Sequence, residues 1–67
     1  MITPEIKILA VDDIYDNLIS LKALILEAFP SAQVVFAQSG SEAIETALRI
    51  NPDVILLKSI PILSLLF

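Results

Sequence analysis

The sequence predicts an α/β domain built on a parallel sheet, and three observations carry that expectation. Ile8-Leu9-Ala10-Val11 is an unbroken apolar run that ends in two adjacent carboxylates, Asp12 and Asp13. Strand-like and helix-like segments then alternate as β-α-β-α-β over residues 6–57. A second apolar run, Val54-Ile55-Leu56-Leu57, closes the series. Strands with helices on both faces read as continuous apolar runs, whereas half-solvated strands alternate with polar residues. Strands that alternate with helices imply parallel pairing through right-handed crossovers.

Residues 1–5 form a lead-in, with Pro4 ahead of the first strand. That strand is expected over Ile6 to Val11, followed by a loop over Asp12 to Tyr15. A helix is expected from about Asp16 to Phe29. Leu18, Leu21, Ile25 and Ala28 recur at helical spacing as one apolar stripe, broadened by Ile19 and Leu26. Lys22 and Glu27 lie off that stripe and are expected in solvent. Asp13 or Asp16 is suited to cap the exposed amides at the helix start, where the dipole favours a carboxylate. Pro30 stops the helix by pushing the residue before it out of helical geometry.

Gln33 to Ala37 is rich in β-formers and reads as the second strand. Ser39 with Glu42 fits a capping box, with Ser41 as a rival cap. The second helix carries Ala43, Ile44, Ala47 and Leu48 on one face and ends at Asn51-Pro52. Val54 to Leu57 is the third strand. Beyond it, residues 58–67 show no clear period and read as coil or strand.

Composition narrows the functional classes. The 67 residues allow one domain, and a chain this short buries only about 60% of the surface it exposes when unfolded. Its stability is expected to be marginal without a disulfide, a metal or a partner. There is no cysteine and no histidine, which removes disulfides, thiolate metal sites and the commonest general base. Four basic and eight acidic residues leave a net charge of −4, which argues against nucleic acid as a partner. The apolar fraction is 57%, against roughly 45–50% in typical soluble domains. The apolar tail from Val54 to Phe67 contains Lys58 and Pro61 and is too short for a membrane span, which needs about 20 residues. The amino end lacks the pattern of a signal peptide, so a cytoplasmic location is expected.

One glycine rules out a dinucleotide or phosphate loop of the usual form. The serines have no histidine to activate them. Tyr15 is expected to pack on the helix start. The tail lacks the basic face of a membrane-surface helix. What remains is the acidic pair. Two carboxylates at the carboxyl edge of a buried strand sit where open α/β folds bind ligands. They repel one another, and a hard cation such as magnesium relieves that repulsion. They serve equally well as loop acids, one of them capping the helix.

Several segments taken together resemble a known family. Ile8-Leu9-Ala10-Val11-Asp12-Asp13, Asn17-Leu18, Ser39-Gly40-Ser41-Glu42-Ala43 and Pro52-Asp53-Val54-Ile55-Leu56-Leu57 are similar, in order and spacing, to the first half of a response-regulator receiver domain. The resemblance covers about residues 6–57. It implies a flavodoxin-like receiver fragment with parallel strands in the order 2-1-3, lacking strands four and five. It also implies a role in two-component phosphorelay signalling, with a histidine kinase or phosphotransfer protein as partner. Asp12 and Asp13 match the family's acidic pair, which helps to bind magnesium. The position of the aspartate that accepts the phosphoryl group is occupied by Lys58.

An ammonium cannot form the acyl phosphate that a carboxylate nucleophile forms. It has three donors and no acceptor, so while charged it cannot ligate a metal. Lys58 either neutralises Asp12 and Asp13 in place of the cation or is simply a polar residue ending a strand. The sequence around it, Lys58-Ser59-Ile60-Pro61, has the family's proline one place early and no methionine. A reading frame interrupted near codon 58 would explain that simultaneous departure. The expected function is therefore a truncated receiver-type domain that is inactive in phosphotransfer, has no enzymatic activity and holds no magnesium. The alternatives are a non-catalytic interaction module that pairs through its open sheet edge or apolar tail, and an inert fragment of an interrupted gene. An apolar strand over residues 54–57 left at the edge invites self-association, so the isolated chain is expected to be molten, aggregated or dimerised.

Overall fold

In a computed structural model, residues 5–57 are described, as five elements. They are β1 (Lys7–Val11), α1 (Tyr15–Ala28), β2 (Gln33–Ala37), α2 (Gly40–Ile50) and β3 (Val54–Leu57). The order β-α-β-α-β is the expected one. The lead-in over residues 1–4 and the coil-or-strand reading of residues 58–67, with Lys58 among them, lie outside the described residues.

The three strands pair in parallel in the order β2-β1-β3. Leu9 is opposite Val35 on one side and Ile55 on the other, and Val11 is opposite Ala37 and Leu57. Leu9, Ala10 and Val11 have no exposed surface, and Ile8 is buried. The central strand is therefore covered on both faces, as its unbroken apolar run requires.

Side chains alternate across the sheet, so β1 serves both helices. Leu9, Val11 and Ala37 pack with Ala43, and Val35 and Ala47 join them, which places α2 on that face. On the other face Tyr15 meets Phe36 edge-on, with ring centroids 5.9 Å apart and planes at 83°. Lys22 Nζ lies 5.9 Å from the centre of the same ring. Leu18 and Ile25 are the buried residues of α1. Leu21 and Leu26 are half-buried, while Ile19 and Ala28 are exposed, so the stripe is narrower than its spacing suggests.

The helix ends follow local chemistry. Ser39 is the N-cap of α2, and Glu42 N donates to Ser39 Oγ at 3.1 Å. Ser41, the rival, lies inside the helix with its hydroxyl 3.4 Å from that of Ser39. Asn51 ends α2 in the left-handed region with φ 54°, a conformation that asparagine tolerates at a helix terminus. Asp53 then ties β3 to the start of β1: Lys7 N donates to Asp53 Oδ2 and Asp53 N to the Lys7 carbonyl, each at 2.9 Å.

Three expectations about α1 and α2 need correction. The first helix, expected over about 16–29, starts one residue earlier at Tyr15 and ends at Ala28, where Pro30 forces Phe29 out of helical geometry. Neither Asp13 nor Asp16 caps it. The N-cap is Ile14, whose side chain makes no capping bond. Ile44 and Leu48 do not lie with Ala43 and Ala47 against the sheet; they are 67% and 83% exposed. The buried residues of α2 are Ala43 and Thr46, small enough to bring the helix close to β1 and β2. No described helix is long and apolar enough to cross a membrane.

Leu18 has no exposed surface, whereas Leu24 on the same helix is 65% exposed. Leu18→Ala should cost about 2–5 kcal/mol, comparable with the whole stability of many small domains. Far-UV circular dichroism should therefore show a collapse of ordered structure for Leu18→Ala and little change for Leu24→Ala. Ser39→Ala should lower the urea midpoint by the equivalent of about 1 kcal/mol.

Candidate functional site

The carboxyl ends of β1 and β2 and the start of α1 form one rim. β1 runs directly into Asp12, whose backbone N–H donates to the Ala37 carbonyl at 3.1 Å, extending the ladder with β2 by one bond. That bond holds Asp12 at the sheet. The residue is only 1% exposed.

A buried carboxylate has to be hydrogen-bonded. Oδ1 of Asp12 accepts from Ile14 N at 2.9 Å, and Oδ2 accepts from Asn17 Nδ2 at 3.2 Å. The first bond is an Asx turn, in which an aspartate satisfies the backbone two residues ahead. The second reaches into the first turn of α1. Together they fix the angle at which the chain leaves the sheet and enters the helix. The N-terminal end of a helix also favours negative charge nearby.

Asp13 has a different environment. It is exposed, and so is Asp16 in the first turn of α1. The adjacent acids therefore divide: Asp12 is structural as well as polar, and Asp13 faces solvent. Among the described residues, no three acidic, histidine or cysteine side chains converge as a metal-holding group. The position that the sequence marks as decisive, Lys58, lies outside the described residues. Leu57 before it pairs with Val11, the residue before Asp12.

Tyr15 is not a loop residue. It is the first residue of α1 and packs on Phe36 of β2, which secures the same helix start from the side. Asn17 is the residue whose part in the site its own position in the sequence does not announce. The signal available was an amide side chain one turn into a helix that begins just beyond a buried acid.

Neither protein-family models nor curated proteins nor solved structures give a match to this chain.

Asp12→Ala would leave the Ile14 N–H and the Asn17 amide without this acceptor, a loss of about 1–3 kcal/mol. Asp13→Ala should change stability by no more than about 0.5 kcal/mol. Urea denaturation of the two variants side by side checks the asymmetry; equal losses would contradict it.

Proposed function

We propose that this chain is a receiver-type module of two-component phosphorelay signalling that does not accept a phosphoryl group. One observation carries the reading: a buried aspartate closes the central strand of a parallel β2-β1-β3 sheet, beside a second, exposed aspartate. That is the arrangement the family resemblance implies, and open α/β sheets bind ligands at this edge. The resemblance extends through Leu57 and fails at Lys58, where the acceptor carboxylate would stand.

The donor set does not fit the magnesium of that family. Asp12 is engaged by Ile14 and Asn17, Asp13 alone is exposed, and the third position supplies an ammonium. No phosphoryl step is therefore assigned to the chain. Its role is recognition in the cytoplasm, with the acidic rim and α1 offered to a histidine kinase or phosphotransfer protein.

A second reading, an interaction module that pairs through its sheet edge, is favoured by β3. Val54, Ile55 and Leu57 are 41%, 48% and 44% exposed, and among the described residues β3 pairs only with β1. Exposed apolar edges pair with other strands.

Incubation with acetyl phosphate and Mg²⁺, read by intact mass, should give no hydroxylamine-labile adduct. In Lys58→Asp, Mg²⁺ should shift the amide resonances of Asp12 and Asp13 with at least about tenfold higher affinity than in the parent chain, since an added carboxylate replaces a repelling cation. A labile adduct on the parent chain would refute the inactive reading. Indifference of both chains to Mg²⁺ would refute the receiver reading of the rim.

A further inference from the structure

α2 carries two neighbouring rows of exposed residues. Ile44 and Leu48 are 67% and 83% exposed. At about 100° per residue these two, four apart in sequence, stand about 40° from one another around the helix and form one apolar row. Glu45 and Arg49 are exposed as well, and each directly follows a member of that row. They form a second row about 100° further round, with an acid at one end and a base at the other. The opposite flank of the apolar row carries the half-buried Ala47 and then the buried Ala43, with no charge. The packed side of α2 is Ala43 and Thr46, and neither row belongs to it.

We infer that this face of α2 docks a second copy of the chain, with the two α2 helices antiparallel about a twofold axis. In an isologous pair, a residue i that meets j is matched by j meeting i. When Ile44 lies across from Leu48 of the second copy, Leu48 lies across from that copy's Ile44. A twofold perpendicular to both helices keeps their charged rows on the same side. Glu45 then falls within about 3 Å, measured along the helix axis, of Arg49 of the second copy, and the reciprocal pair forms by symmetry. A parallel arrangement would put the charged rows on opposite sides, where they could not meet. The patch thus holds its own complement, apolar row against apolar row and two opposite-charge pairs on one flank. That self-complementarity selects a second copy as the occupant. An anionic lipid surface would meet a chain of net charge −4, with Arg49 the one base of α2. The helix has 11 residues and is about 16 Å long. One face of it falls short of the ~800 Å² per partner of stable complexes, so the dimer is weak and exchanges with monomer. The inference rests neither on the receiver reading nor on the open edge of β3.

Sedimentation equilibrium of the full chain, from about 10 μM to about 1 mM, reads the association. The mean mass should rise from monomer towards dimer across that range. Leu48→Lys should weaken the dimer at least about tenfold, because each dimer loses two apolar contacts and gains two buried cations. Leu24→Lys is the control on α1, 65% exposed in the parent, and should leave the association unchanged. All the substituted positions are exposed, so circular dichroism should match the parent. Glu45→Arg and Arg49→Glu should each weaken the dimer at least about threefold, since each sets like charges opposite one another twice. The double swap, Glu45→Arg with Arg49→Glu, should restore it to within about twofold of the parent. A chain that stays monomeric at every concentration would overturn the inference. So would a dimer or larger assembly indifferent to Leu48→Lys, which pairing through the edge of β3 would give. Failure of the double swap to restore association would overturn the antiparallel arrangement.

Discussion

The carboxylate of Asp12 is the constraint on which the arrangement turns. The residue is 1% exposed, at the end of a strand whose last three residues have no exposed surface at all. A carboxylate cannot be placed there without donors, and among the described residues Ile14 N and Asn17 Nδ2 are two of them. The backbone of the same residue is bonded to β2 through Ala37. One side chain and its own amide thus join β1, β2 and the start of α1. Because α1 covers one face of β1, any change that frees Asp12 also loosens the cover over Ile8 and Ala10.

The two acids separate the structural from the chemical part of the rim. In sequence they are alike: adjacent, identical, and both just beyond an apolar run. The Asx turn draws one inward and leaves the other in solvent. A site built on this pair offers one exposed carboxylate, with the second already committed to the fold.

The sheet is covered unequally. β1 is buried from both sides, β2 is half-buried along most of its length, and β3 is the open side. α2 approaches the sheet through small residues, Ala43, Thr46 and Ala47, and this close approach keeps it over β1 and β2. Its larger residues, Ile44 and Leu48, stay exposed. The same packing that makes the centre tight therefore leaves β3 the more exposed strand.

Much of this could be read from the residues. The unbroken run Ile8 to Val11 announced a strand covered on both faces, and the β-α-β-α-β order with its parallel pairing followed from alternating periods of hydrophobicity. Ser39 as a cap, Pro30 and Asn51-Pro52 as stops, and the β-formers of Gln33 to Ala37 act through neighbours in the chain, so their effects are local and legible. Burial is not local. Whether Ile44 and Leu48 meet the sheet depends on how far α2 extends over β3, and helical spacing carries no information about that. Nor could spacing separate Asp12 from Asp13, since their difference lies in the direction the chain turns after β1 and in an amide one helical turn away. The sequence by itself determined which segments are strands and helices; the tertiary structure decided which of their apolar and acidic residues are covered, because that depends on contacts between segments far apart in the chain.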